Sequence, residues 1–269
     1  MTTSYEVRAH NPATASENQI HHDDVARAYG FAGGLVPGVT VYAYMAHPVV
    51  EVLGRAWLER GTMAARFVRP CYDGDDVTVD IAETPTDTGD GDVLDLNARR
   101  GGDEVIATGT ASVPSPPASP PPITAYPTAP LPDERPPATR DALAALDPLG
   151  SWEATFRVDH APAFLDQIGE GLPLFRADGL AHPGHLLLAA NSVLVANVRL
   201  GPWMHVGSEV TNFGVVADGD RVSTRGRVAN LFERKGHKFA ELDLLLVADD
   251  SWPVQHVRHT LIYEIGRPG

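Results

Sequence analysis

Between Pro114 and Pro137, 11 of 24 residues are proline. Proline fixes φ and has no amide hydrogen to give, so this stretch forms neither a helix nor a central strand. The sequence predicts a stiff, extended connector in polyproline II form, rising about 3.1 Å per residue. A spacer fits it better than a ligand for a proline-reading module. It divides the 269-residue chain into an N-terminal unit, 1–113, a linker, 114–137, and a C-terminal unit, 138–269.

The two units read alike. Asp73-Gly74-Asp75 and Asp218-Gly219-Asp220 each stand between β-type runs, 145 residues apart. Leu35-Val36-Pro37-Gly38 opens one apolar helical run, and Ala181-His182-Pro183-Gly184 opens another, 146 residues apart. Two matches at almost one lag indicate a duplicated unit. In each, a short helix comes first (23–29; 161–168), then a Gly/Pro turn and a longer apolar helix (38–53; 184–198), then consecutive strands. The strands are expected at 62–68, 75–83, 93–100 and 104–113, and at 209–215, 221–230, 237–247 and 254–265. Turn chemistry separates them, including Gly101-Gly102 and the run 88–92. A helix followed by strands with no helix between them implies an α+β unit, an antiparallel sheet with a helix packed on one face. Pro48 is expected to kink or split the first long helix.

Charge excludes some partners. Lys plus Arg total 21 and Asp plus Glu total 35, a formal charge of −14. Nucleic-acid binding relies on clustered Lys and Arg, so neither a phosphate backbone nor an anionic membrane is an expected partner. Cys71 is the single cysteine, which leaves no intrachain disulfide and no Cys-rich zinc site. The first residues contain no apolar leader core and no run is long enough to span a bilayer, so a cytoplasmic location is expected. No HExxH, P-loop, dinucleotide fingerprint or nucleophile elbow occurs, and the His182/His185 pair lacks metal-site spacing, so no metal is expected.

The segment Asn18-Gln-Ile-His21-His-Asp-Asp-Val-Ala-Arg-Ala-Tyr-Gly-Phe31, followed by Gly34-Leu-Val-Pro-Gly38, resembles MaoC-like (R)-specific enoyl-thioester hydratases and dehydratases. So does Arg66-Phe-Val-Arg-Pro-Cys-Tyr-Asp-Gly-Asp75, which is similar to their strand leading to a P-x-x-x-G-D turn. The second half echoes the pattern more weakly, in 164–175 and 181–184. The resemblance implies a tandem (double) hotdog, two antiparallel sheets each wrapped around a central helix. It implies hydration or dehydration of a 2-enoyl/3-hydroxyacyl thioester of coenzyme A or an acyl-carrier protein. No cofactor is implied, because the thioester supplies the activation. A tandem chain already holds the pseudo-dimer, so a monomer or a homodimer is expected.

The resemblance also assigns residues. His21 matches the family His, and its imidazole suits acid/base work near neutrality. Asn18 matches the family Asn and would position water. Ser16 stands where the family has an Asp, so the missing carboxylate's part falls to Ser16 with water, to Glu17 or to Asp23. In the second half Glu170 holds the Asp position but Phe175 holds the His position. FabA/FabZ-type dehydratases place an acid where this chain has Ala43 and Ala189. The Gly38 amide, in the first helical turn, would donate to the thioester oxygen, because helix N-termini present free N–H groups. Tyr42 on the helix, with Arg234 and Lys235 in the most basic run (232–239), complete the expected substrate contacts. That run reads first as a solvated turn between two strands, and as a contact for the carrier phosphates second. If active, the site lies in the first half with walls from the second. The rival readings are a non-catalytic acyl-thioester-binding or scaffold protein and a thioesterase or other tailoring enzyme, since the fold does not fix the reaction.

Overall fold

A computed structural model describes residues 2–84 and 93–266. The predicted turn at 88–92 lies outside the described residues. Ten strands are described: β1 (Thr2–Arg8), β2 (Thr62–Phe67), β3 (Asp76–Thr84), β4 (Val93–Arg100), β5 (Glu104–Ser112), β6 (Trp152–Thr155), β7 (Met204–Asn212), β8 (Arg221–Arg234), β9 (His237–Ala248) and β10 (Trp252–Glu264). The helices are α1 (Asp23–Ala28), α2 (Gly38–Arg60), α3 (Arg140–Ala144), α4 (Ala161–Gln167), α5 (Pro173–Arg176) and α6 (Pro183–Asn197), with one-turn 3-10 helices at Gln19–His21 and Ile123–Ala125.

The strands form one sheet in the order β1-β3-β4-β5-β2-β7-β10-β9-β8-β6, and every neighbouring pair is antiparallel. Read inward from either edge, the second half repeats the first. The two expected sheets are therefore one, joined where β2 pairs β7 from Thr62↔Thr211 to Arg66↔Gly207. The duplication extends to single hydrogen bonds. Tyr72 N–H donates to Asp75 Oδ2 at 2.8 Å, and Ala217 N–H donates to Asp220 Oδ2 at 2.8 Å. Gly74 and Gly219 take φ of 78° and 92° at the corresponding turns, a backbone region that costs a glycine little.

Strand burial follows the pleat where one face is solvated. In β3, Val77, Val79 and Ile81 point into the core and the residues between them do not. In β9 the run Leu244–Val247 is buried on both faces. Its outer face is covered by Tyr126 and Ile123 of the proline-rich segment. That segment starts beside β2 and must reach β6, six strand positions away, about 29 Å at ~4.8 Å per strand. It crosses pinned: the Tyr126 hydroxyl donates to Asp243 at 2.9 Å, Ala129 N–H donates to Ser151 Oγ at 3.1 Å, and Arg199 N–H donates to Pro136 O at 2.8 Å.

The central helices α2 and α6 lie on the inner face and pack on each other. At Gly184 a side-chain carbon would come within 2.7 Å of the Ala43 Cβ. Ala43 is thus a helix-crossing residue, which explains why no acid occupies that position. Pro48 does not split α2. The turn around it is buried, and the non-helical residue is Gly54, at φ 62° and ψ −155°. The apolar surround holds the helix through the proline, and the chain bends later, where a missing Cβ permits it.

Candidate active-site cavity

Residues 9–22 lead from β1 to the start of α1. Within this loop Asn18 caps the short helix that ends at His21. The Asn18 side chain makes four hydrogen bonds. Its amide nitrogen donates to Trp203 O at 3.0 Å and to His21 Nε2 at 3.2 Å. Its oxygen accepts from Trp203 N–H at 3.2 Å and Ile20 N–H at 3.3 Å. The other His21 nitrogen, Nδ1, lies 2.7 Å from Leu35 O. A carbonyl only accepts, so Nδ1 carries the proton and Nε2 presents its lone pair. Burial lowers the His21 pKa from its ordinary value, opposed by the Leu35 carbonyl.

Gly38 is the first residue of α2, after Pro37. Its N–H has no acceptor within the helix. His21, Asn18 and Gly38 all line one cavity of about 270 Å³. Its remaining polar lining comes from Arg69, just after β2, and from the second half, from Asn191 on α6 and His205 on β7. Val41, Phe67, Trp203 and Ile262 contribute apolar surface. None of the described residues lining the cavity is a carboxylate. Cys71 lines it too, but burial, followed by the nearby Asp75 charge, pushes its thiol up to about 12, so it stands protonated. His21 also borders a wider open groove of about 840 Å³ on the loop's other side.

The other expected site residues fall elsewhere. Ser16 donates its hydroxyl to Asn18 O at 3.2 Å and does not line the cavity. Glu17 is exposed and paired with Arg135 of the connector at 3.1 Å. Asp23 accepts from Gly34 N–H at 2.9 Å and pairs with Arg27 at 2.8 Å. Neither acid hydrogen-bonds His21. Tyr42 is fully buried in the core, and Val41 takes the cavity position. One residue along a helix turns the side chain by about 100°, enough to move it from cavity to core. Arg234 and Lys235 lie at the tip of the β8–β9 hairpin and border a broad groove of about 1210 Å³. Its wall shares Phe67, Val206 and Ile262 with the cavity.

The sequence reading passed over His205. The strand expected at 209–215 starts earlier, at Met204, and so takes in His205. Alternation of Met204, His205 and Val206 was the available signal, masked by Gly207. His205 is buried and packs edge-on to Phe67, with ring centroids 4.8 Å apart.

The counterpart in the second half is closed. The His182 Nδ1 accepts the Gly184 N–H at 3.0 Å, so the amide equivalent to that of Gly38 is capped by a side chain. Phe175 packs against the His182 ring, with centroids 4.6 Å apart. Glu170 lies buried 3.0 Å from His47 Nδ1 and 3.4 Å from His182 Nε2, and accepts the Leu172 N–H at 2.7 Å. Burial alone would raise the Glu170 pKa. The His182 and His47 contacts and the Leu172 amide outweigh it and hold the carboxyl well below the usual range.

No protein-family model and no curated protein sequence matches the chain. Solved structures share its fold. A Mycobacterium tuberculosis protein with a double hotdog fold, described as essential for bacterial survival during infection, superposes with a TM-score of 0.65 at 15% identity, over 97% of this chain and 95% of that one. A Chloroflexus aurantiacus protein provisionally named a MaoC domain protein dehydratase gives 0.61 at 13%, over 100% and 95%. An acyl-ACP thioesterase from Bacteroides thetaiotaomicron gives 0.51 at 12%, over 97% of each chain. The fold is a double hotdog, and at these identities the likeness concerns the fold alone. Among the described residues, no helix is long and apolar enough to cross a membrane.

Proposed function

We propose that this chain hydrates and dehydrates 2-enoyl/3-hydroxyacyl thioesters, with His21 as the acid/base and the Gly38 amide as oxyanion donor. One observation carries the reading: a single cavity holds an imidazole lone pair, a free helix-start amide and apolar walls. Fold neighbours that include a MaoC-type dehydratase and a thioesterase support an acyl thioester as the ligand class. At about 270 Å³ the cavity is small against ligand pockets of roughly 300–1,000 Å³, which suits a short acyl chain. The carrier arm, of coenzyme A or a protein, then runs along the outer groove past Arg234 and Lys235.

In hydration, the thioester oxygen accepts the Gly38 N–H. Water displaces the Asn18 N–H at His21 Nε2 and attacks C3, and His21 takes the water proton. The C2=C3 electrons move onto the thioester oxygen, where the Gly38 amide stabilises the developing charge. Collapse of the enolate takes a proton from His21 to C2. With no carboxylate among the described residues of the cavity, one imidazole makes both transfers. Asn18 and Trp203 keep the loop, and therefore the ring, in position.

One feature favours a second reading, a non-catalytic binder: His21 Nε2 already holds the Asn18 N–H. Incubation with crotonyl-CoA separates the readings. Loss of enoyl absorbance, abolished in His21→Ala, supports the hydratase. Release of free thiol means a thioesterase, and saturable binding without turnover means the binder.

A further inference from the structure

The cavity contains a second imidazole, on the half opposite His21. His205 Nε2 lies 2.8 Å from Ser208 Oγ, Ser208 Oγ lies 2.9 Å from His259 Nδ1, and His259 Nε2 lies 3.0 Å from Asn191 Oδ1. The two rings stack, with centroids 4.0 Å apart. Burial pushes both below the ordinary histidine range, His259 down to about 3, so both are neutral and each carries one ring proton.

The chain of contacts fixes where those protons sit. Asn191 Oδ1 accepts, so His259 holds its proton on Nε2 and its Nδ1 accepts the Ser208 hydroxyl. Ser208 has one proton and has spent it, so its oxygen accepts from His205 Nε2–H. That leaves His205 Nδ1 bare. Nδ1 is buried and has no hydrogen-bond partner among the described residues. A buried acceptor without a donor is destabilising, and a ligand donor would remove that cost. Its position is defined: a methyl group on Gly38 would come within 2.8 Å of it. It therefore stands beside the amide assigned to the thioester carbonyl.

We infer that His205 Nδ1 accepts a hydrogen bond from the hydroxyl of a 3-hydroxyacyl thioester and so makes the cavity selective for the hydroxylated form. The inference rests on the thioester reading above. With the carbonyl on Gly38, a C3 hydroxyl lies two carbons away, on the side of the β7 strand. The ring reads the hydroxyl's donor character and takes no proton, since a neutral ring of lowered basicity is an acceptor rather than a base. Ser208, His259 and Asn191 act as positioning residues that hold the tautomer.

Pantetheine amides test this, because replacing the thioester sulfur by nitrogen keeps the carbonyl and hydroxyl but resists elimination. Calorimetry compares (R)-3-hydroxybutyryl, butyryl and 3-oxobutyryl forms. The expected result is at least tenfold tighter binding of the 3-hydroxy form than of either other. His205→Leu should remove that preference, weakening the 3-hydroxy form at least tenfold more than the butyryl form, and His205→Asn, which returns a short acceptor, should restore part of it. Equal binding of the butyryl and 3-hydroxy forms, or preference for the 3-oxo form, overturns the assignment while leaving the thioester reading standing. A preference that survives His205→Leu overturns it as well. Failure of all three to bind removes the thioester reading and this assignment together. The wild-type comparison decides the matter even if the variants do not fold.

Discussion

Asn18 and Trp203, 185 residues apart in sequence, exchange two hydrogen bonds through the Asn18 side chain and the Trp203 main chain. The exchange ties the His21 loop of the first half to the segment entering β7 of the second, and so spans the cavity. Asn18→Ala leaves the Trp203 N–H and carbonyl unpaired in a buried position. The expected cost is about 3 kcal/mol, roughly 6–12 °C in Tm. Asn18→Asp keeps the acceptor and loses the donor, so it falls between the two. Thermal unfolding of the three proteins checks the order, and an unchanged Tm in Asn18→Ala would show that the clamp does not hold the loop.

Gly38 meets His205 too closely for any side chain. An alanine Cβ would lie 2.8 Å from the His205 ring and 3.1 Å from its carbonyl oxygen. Gly38→Ala should therefore lower kcat/KM at least about 100-fold while destabilising the fold by only about 1–3 kcal/mol. Steady-state kinetics beside a melting curve tests it; near-normal turnover would remove Gly38 from the oxyanion role.

The fold should weaken in mild acid. Burial lowers the pKa values of His21, His182, His185, His205 and His259. A histidine with a lowered folded pKa contributes its full stability above the unfolded value, near 6.5, and loses it as pH falls from there toward the folded value. The unfolded chain binds more protons in that window, so stability drops with pH. The fully buried His205 and His259 together should cost about 2 kcal/mol between pH 6 and pH 5. Urea unfolding at the two pH values measures this, and equal midpoints would contradict it.

Glu170, despite its match to the family acid position, lies buried against His47 and His182 and is expected to be a structural group. Glu170→Ala leaves His47 and the Leu172 amide without their carboxylate partner and should destabilise by about 3–5 kcal/mol. At a temperature where the variant remains folded, turnover should stay within threefold of the parent. Loss of turnover with an unchanged Tm would make the second half catalytic.

Periodicity and punctuation made the fold readable. The paired Asp-Gly-Asp turns reported the duplication because the same turn hydrogen bonds form in both halves. The strands that were not expected, β1 and β6, occupy the two sheet edges; both alternate half-buried with exposed residues and, among the described residues, carry none of the fully buried apolar residues that mark the inner strands. The merger at β2–β7 was invisible because main-chain pairing carries no residue-type signal. At the site, local motif order brought out His21, Asn18 and Gly38, which lie within one loop and the helix it feeds. His205 and Asn191 reach the same cavity only through pairing between the halves, information that resides in the topology. Tyr42 shows the limit of motif spacing, since one residue of helical rotation separates core from cavity.

Hydration of crotonyl-CoA in D2O, followed by NMR and mass spectrometry, tests the central claim most directly. The account predicts 3-hydroxybutyryl-CoA with its thioester intact and one deuterium at C2, formed at least about 100-fold more slowly by His21→Ala. Release of free coenzyme A, or conversion untouched by His21→Ala, would contradict it.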